Sequence, residues 1–362
     1  MTMQNSSRSK NSARSRIVYA GVLGLVLFGI GYTVYQSGGI GHVYQALGGK
    51  PETRALSSAY ERAHMEADRK AYKADRAAKL PRMPVDADGY YAPPPESAIP
   101  DNPYGDAVRR GRAIFTETGT HVKDHVGNAM ACVNCHLDAG RRENAAPMWA
   151  AYGAYPAYRS KTKSISTLED RIMGCFTYSM NAQGSPSGKP PEAGSDVYRD
   201  LITYMAWLSD GAPAGQKLPG ALYPKVPKPE QGYDLMRGLA VYQQNCALCH
   251  GGDGQGTTDP EGKVRFPPLW GPDSYNWGAG MARINTAAGF IKANMPYGKP
   301  FSLTDQEAWD VAAFINSHER PKDPRQTGTV AQAAKAFHGG ESFYGKTLEG
   351  HLLGSGVGAS RD

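Results

Sequence analysis

Cysteine is scarce in this chain, with five in 362 residues. A structural zinc site wants more of them at matched spacing, so that class is disfavoured. Basic runs interleaved with aromatics are missing too, which argues against a nucleic-acid partner. Acidic residues are absent from the first sixteen positions, where Arg8, Lys10, Arg14 and Arg16 supply four of the formal net charges of +6. The remainder is therefore close to balanced. From Ile17 to Tyr35 charge of either sign is absent. The hydrophobic content of 40% is enough for packed cores and excludes a wholly disordered chain.

The uncharged run, as a helix, spans about 28 Å, close to a bilayer's hydrocarbon thickness. The basic residues before it predict a cytoplasmic N-terminus and an exported remainder. The expectation is an inner-membrane, single-pass anchor over 17–35 behind a cytoplasmic segment 1–16, with the folded domains in the periplasm. The alternative is a soluble periplasmic protein after signal cleavage, for which only "SGG" at 37–39 offers small residues. Residues 36–100 read as a spacer: an Ala- and charge-rich solvated helix, then the proline-rich "YYAPPPESAIPDNP".

Four cysteines fall into "CVNCH" (132–136) and "CALCH" (246–250). Cys-x-x-Cys-His attaches c-type haem. Two thiols about one helical turn apart reach the two vinyl groups of one porphyrin, and the following histidine lies under the iron. Cys132, Cys135 and His136 are thus expected to hold one covalent haem c, and Cys246, Cys249 and His250 a second. The surroundings repeat. "YGDAVRRGRAIF" precedes the first motif and "YDLMRGLAVY" the second, with Arg110-Gly111 matching Arg237-Gly238. "SDVYRDLITYMAWLS" (195–209) and "TDQEAWDVAAFINS" (304–317) follow them as amphipathic helices, the latter opening on a Thr304/Glu307 capping box. The plan resembles small cytochrome c domains. The expected fold is all-α, with two cytochrome c-like domains in tandem (101–211 and 232–320), joined by a proline-rich linker (212–231) and preceded by the anchor and helical spacer. A tail, 321–362, follows; its His338 and His351 read as exposed.

The second module contains "MPYGK", which resembles class I cytochromes c and implies Met295 as iron ligand opposite His250. The first module lacks any such stretch. Its candidates for a sixth ligand are Met148, Met173, Met180 and Cys175. Ser166 and Glu169 stand at capping-box spacing, and a helix from there puts Arg171, Cys175 and Ser179 on one stripe. Arg159, Lys161 and Lys163 stand just before it and Gln183 just after. Cationic neighbours favour a thiolate. Two readings follow from the residues: Cys175 as ligand or nucleophile, or Cys175 as inert packing with Met180 as the distal ligand.

The stretch from "CVNCHLDAG" through "AAPMWAAYGAYPAYRSKTKSISTLEDRIMGCFTYSMNAQGSP" resembles the dihaem thiosulfate dehydrogenases, tetrathionate-forming c-type cytochromes. The resemblance runs over about 101–320. It implies His136 and Cys175 as the iron ligands of an active-site haem, Cys175 also as reactive thiol, and Arg171, Ser179 and Gln183 as substrate-pocket residues; Arg159 and Lys161 would help to hold the anions. Cys175 lies 39 positions after His136, in keeping with the family's spacing. The second haem, on His250 and Met295, would be the electron exit. Where some family members carry a lysine that can replace this methionine, the chain has Asn294, which argues against such a switch. The implied reaction joins two thiosulfates into tetrathionate, in either direction. The electron acceptor would be soluble or membrane-bound, a cytochrome c or a terminal oxidase. The other classes are a membrane-anchored dihaem electron carrier serving an oxidase or dehydrogenase, and a sulfur-carrier subunit like the dihaem sulfur-oxidation cytochromes.

Overall fold

The structure is a computed structural model that describes residues 83–356, together with Glu66, Ala67 and Lys70. The chain divides into two compact units, 1–80 and 81–362. Of the first unit only those three residues are described; they are helical and exposed, in keeping with the solvated spacer. The expected anchor over 17–35 lies outside the described residues. Among the described residues no helix is long and apolar enough to cross a membrane.

The second unit contains two helical modules of the same plan. In the first, α1 (Pro103–Thr116) starts where the Asn102 side chain accepts from the Gly105 N–H and proline occupies the first turn. It buries Val108, Gly111, Ile114 and Phe115. α2 (Leu168–Tyr178) carries Cys175. α3 (Asp196–Leu208) closes the module, with Leu201, Tyr204, Met205 and Leu208 turned inward. Each fully buried Leu, Val or Phe contributes roughly 1.5–3 kcal/mol. In the second module, α4 (Leu235–Asn245) is capped by Asp234, which accepts from the Met236 and Arg237 N–H groups. α5 (Ile284–Asn294) ends at Met295, and α6 (Asp305–Asn316) opens on the expected Thr304/Glu307 capping box. α1 crosses α3 as α4 crosses α6, and the Arg-Gly repeat marks both crossings. Arg110 forks onto Asp200 at 2.7 and 2.9 Å, and Arg237 onto Asp310 at 2.8 and 3.1 Å.

Four expectations need correction. The fold is helical but not purely so: β1 (Ala157–Arg159) pairs with β2 (Ser164–Ser166), β3 (Thr257–Thr258) with β4 (Val264–Phe266), and β5 (Thr347–Leu348) with β6 (His351–Leu352), each an antiparallel hairpin. The capping box of α2 is formed by Thr167 and Asp170, one residue later than the Ser166/Glu169 pair. Both spacings fit the motif, but Asp170 Oδ2 reaches the Thr167 N–H and hydroxyl, each at 2.8 Å. His338 is not an exposed tail histidine; Nε2 sits 2.8 Å from the buried Asp323 carboxylate and the ring stacks on Tyr344. His351 is exposed as expected, 3.2 Å from Glu319.

The linker is also more than a spacer. Its residue Gly220 accepts from the Asn144 N–H. Tyr223 donates to the Cys135 carbonyl of the first module and packs its ring 5.4 Å from Phe290 of the second. Val226 accepts from the Trp309 indole. A second seam lies across 273–278, where Asn276 donates from its amide to Thr177 and from its backbone to Tyr178. The tail contributes α7 (Val330–Phe337), capped by Thr329 and Gln332.

Candidate active site

Both CxxCH motifs fold as tight helical turns. Cys132–Asn134 form one turn, capped by the Asn134 side chain on the Ala131 N–H, and Ala247–His250 form the other. In each the histidine ring is anchored through one nitrogen. His136 Nδ1 lies 2.7 Å from the Ala146 carbonyl, and His250 Nδ1 lies 2.9 Å from the Pro267 carbonyl. A carbonyl can only accept, so Nδ1 carries the proton and Nε2 keeps its lone pair for a metal. The apolar surroundings lower the His136 pKa to about 4 and shift His250 in the same direction. Both imidazoles are therefore neutral, the state that ligates iron.

All four motif cysteines are free of disulfides. Burial around the sulfurs pushes Cys132, Cys135 and Cys246 up to about 12. Such buried, protonated thiols suit conversion to thioethers on a haem, which carry no ionisable proton. Among the described residues no group of three or more His, Cys, Asp or Glu could hold a metal ion. The residues therefore fit haem c and do not fit a protein-only metal cluster.

Cys175 lies midway along α2, half-buried. Its Sγ accepts a hydrogen bond from Arg171 Nη1 at 2.9 Å, one turn earlier on the same helix face. The pair faces the first motif: Cys175 bears electrostatically on Cys132 and Cys135, and Arg171 on His136. A Cys175 thiolate beside it raises the pKa of Arg171 further. Lys161, in the β1–β2 turn, is exposed along its length, yet its ammonium end is enclosed. Nζ donates to the Gly278 carbonyl at 2.6 Å and sits 3.5 Å from the Tyr178 ring centroid. Burial of that end, then the charges of Arg325 and Arg171, lower its pKa to about 7.

The remaining candidates are more peripheral. Arg159 donates to the Tyr155 hydroxyl at 2.9 Å, and Tyr155 in turn bears on Arg171. Ser179 is the C-cap of α2, so it continues the Arg171/Cys175 stripe only at the helix end. Gln183 is exposed and turned to Asn181, a left-handed residue (φ 48°) that redirects the chain after the helix. Met180 and Met148 are core residues, 3% and 6% exposed, and Met173 is half-buried against the core. Met295 follows α5 half-buried. Asn294, next to it, is buried and donates to Asn144 and Phe290 carbonyls at 3.0 and 3.1 Å.

Several residues at the site had no signal in the sequence. Tyr223 comes from the linker, Gly278 from the second module and Arg325 from the tail, and each reaches the cluster over a long sequence separation. Arg325 packs over Tyr178 at 5.2 Å while forking onto Asp323. Burial alone would raise the Asp323 pKa, but bonds from His338 and Arg325 hold it well below the usual carboxylate range. A cavity of about 690 Å³ among Trp149, Tyr155, Leu168, Ile202 and Leu218 includes none of the cysteines, so the chemistry gathers elsewhere.

Comparison with known proteins places both modules among cytochrome c domains. Residues 120–214 match the family described as SoxA/TsdA, cytochrome c domain. Residues 234–315 match cytochrome C oxidase, cbb3-type, subunit III. A thiosulfate dehydrogenase of Stutzerimonas stutzeri (strain A1501) is 51% identical over 273 residues, covering 75% of this chain and 87% of that protein. One from Thiomonas intermedia (strain K12) is 50% identical over 272 residues, 75% of this chain and 84% of its own. The solved thiosulfate dehydrogenase (TsdBA) from Marichromatium purpuratum, in its "as isolated" form, superposes with a TM-score of 0.72 at 51% identity. That match covers 74% of this chain and 58% of the solved one, which is therefore considerably longer than the shared part. With half its residues identical to these proteins across three quarters of its length, the chain belongs to the thiosulfate dehydrogenase family.

Proposed function

We propose that the chain oxidises two thiosulfates to tetrathionate at Cys175. The observation that carries this reading is the 2.9 Å Arg171–Cys175 pair set against the first CxxCH motif. Cys132, Cys135 and His136 would hold one haem c and Cys246, Cys249 and His250 the other, with Cys175 and Met295 as the sixth ligands. Bound there, the haems would supply one-electron acceptors for the two electrons of the reaction, whose outside acceptor would be a cytochrome c or a terminal oxidase.

The obstacle is electrostatic. Two dianions about 4 Å apart, at an effective dielectric of about 20, repel by roughly 16 kcal/mol. The protein lowers this by bringing the anions in one at a time. Arg171 stabilises the Cys175 thiolate and then the sulfonate end of the first substrate. The Cys175 sulfur bonds to the sulfane sulfur of one thiosulfate, giving Cys–S–S–SO3(−) and releasing two electrons. A second thiosulfate attacks that sulfane sulfur; the S–S bond to Cys175 breaks, tetrathionate leaves and the thiolate is restored. Charge and sulfur balance in both steps, and splitting one hard step into two is covalent catalysis. The same steps run backwards reduce tetrathionate.

Lys161 adds a cation whose charge depends on pH. Its pKa of about 7 leaves it an ammonium below that pH and neutral above it. The ratio kcat/KM for thiosulfate is therefore expected to fall roughly three- to tenfold as pH rises through about 7. Lys161→Met should show the lower value at pH 6 and lose this inflection. An unchanged inflection in the variant would remove Lys161 from the substrate's path.

The N-terminal segment completes the proposal. Arg14 and Arg16 before an uncharged run of nineteen residues hold the haem modules at the outer face of the inner membrane. N-terminal sequencing of the native protein is expected to start before Ile17; a start near Ile40 would establish cleavage and a soluble periplasmic form.

A further inference from the structure

The tail reaches the Cys175 side of the first module through one side chain. The Arg325 guanidinium packs 5.2 Å from the Tyr178 ring centroid at the end of α2 and 4.5 Å from that of Phe337 in α7. Asp323, which is fully buried, holds it there. Arg325 Nε and Nη2 fork onto the two carboxylate oxygens at 3.0 and 2.6 Å, and the Arg325 backbone N–H donates to Oδ1 at 2.9 Å. His338 Nε2 stands 2.8 Å from Oδ2. The His338 ring stacks on Tyr344, whose hydroxyl donates to Gln326 at 2.7 Å. A planar fork on a buried carboxylate fixes both the position and the orientation of a guanidinium.

The Tyr178 ring that Arg325 covers is also the ring on which Lys161 sits, with Nζ 3.5 Å from the centroid. Two cations thus share one aromatic side chain, and the helix that carries it also carries Arg171 and Cys175. Apart from burial, the charges that bear on Lys161 are those of Arg325, Arg171, Asp323 and Cys175. Two of the four come from the tail. Burial raises the Tyr178 hydroxyl above its ordinary range, so the shared ring stays neutral.

We propose that the tail completes the substrate site: Arg325, clamped by Asp323 and His338, is a positioning residue that sets the charge Lys161 presents to thiosulfate. This rests on the reading of Lys161 as a cation in the substrate's path, which Lys161→Met tests by itself. Arg325 does not shed its proton, so it is a constant positive charge beside Lys161. It disfavours the ammonium form of Lys161, and the Asp323 carboxylate favours it. The two tail residues therefore pull the Lys161 titration in opposite directions.

The experiment is the pH profile of kcat/KM for thiosulfate in full-length Arg325→Gln, Arg325→Lys and Asp323→Asn beside the unsubstituted protein, with haem counted in each to establish assembly. Arg325→Gln is expected to move the inflection upward from about 7, by roughly half a pH unit or more. Asp323→Asn should move it downward, since the carboxylate is gone and the Arg325 charge is no longer neutralised. Arg325→Lys keeps the charge and should leave the inflection close to 7. Arg325→Gln combined with Lys161→Met should show no inflection, which identifies Lys161 as the titrating group. Loss of packing alone would lower the whole profile and would not move its midpoint in opposite directions. An inflection left at about 7 in Arg325→Gln overturns the inference. A shift of the same sign in Arg325→Gln and Asp323→Asn also overturns it and leaves the fork as a structural clamp. An inflection retained in Lys161→Met with Arg325 intact is a different failure: it removes Lys161 from the substrate's path, and the inference falls with it. Should Asp323→Asn fail to assemble, the two Arg325 variants decide: an upward shift confined to Arg325→Gln supports the inference, and a shift in both or in neither overturns it.

Discussion

Cys175→Gly is expected to keep both haems, two per chain by pyridine haemochrome, while thiosulfate oxidation falls by roughly three orders of magnitude or more. Retention follows because neither attachment motif is altered and Cys175 is not part of the buried core. The loss has two sources. The acceptor for the first sulfur disappears, so two dianions must meet directly. Arg171 also loses its partner on α2 and is left without the thiolate it stabilises. At about 1.4 kcal/mol per tenfold, a thousandfold loss corresponds to about 4 kcal/mol, well within the repulsion the covalent step avoids. Electron paramagnetic resonance should show the thiolate signature of the first haem lost and the Met295/His250 haem unchanged. Met180→Leu is the counterpart. Met180 is a core residue, 3% exposed, so the substitution should leave ligation and turnover nearly intact. The reverse pattern, with Met180→Leu changing the first haem and Cys175→Gly changing nothing, would make the protein an electron carrier with Cys175 as packing.

The parts of this architecture that were legible in the sequence are those encoded within a few residues. The CxxCH turns, the Thr304/Glu307 cap and the Arg171–Cys175 face each depend on local spacing. The α2 cap was misplaced by one residue because "STLED" satisfies the motif in two registers, and only the geometry of Asp170 distinguishes them. Helical spacing puts Ser179 on the Cys175 stripe, but the helix ends at Tyr178, and Gln183 joins the site only through the family resemblance. Beyond the helix end the left-handed Asn181 turns the chain, and no helical period carries through that point. The linker and tail were opaque for a different reason. Tyr223 in a proline-rich stretch, or His338 in a polar tail, acquires its role from partners far away in the chain. Tyr223 reaches Cys135, and His338 reaches Asp323 beneath Arg325. Nothing within either segment announces those contacts.

The Arg-Gly repeat reads in the sequence as a match between modules, and the structure gives it a physical basis with a large expected consequence. A β-carbon on Gly111 would stand 2.0 Å from the Asp200 carbonyl oxygen and 2.8 Å from Tyr204 Cβ. One on Gly238 would stand 2.2 Å from the Asp310 oxygen and 2.8 Å from Phe314 Cβ. In both modules, then, the glycine lets the first helix touch the backbone of the last. The preceding arginine forks onto the side chain of the same aspartate, fixing the register of the crossing. Backbone cannot swing aside as a side-chain tip can, so even alanine must push the helices apart. Gly111→Ala and Gly238→Ala are each expected to lose about 3 kcal/mol or more of stability, despite alanine's better helix propensity. Gly119→Ala is the control, since a β-carbon there meets nothing within 4 Å; it should be neutral or slightly stabilising. Thermal unfolding of the three holoproteins measures the difference. The spectrum locates it: Gly111→Ala should disturb the haem beside Cys175, through Phe115 and its 6.2 Å contact with His136, and Gly238→Ala the Met295 haem. Equal, small effects at all three glycines would show that the crossings tolerate a β-carbon and that the repeated Arg-Gly pair is not what sets them.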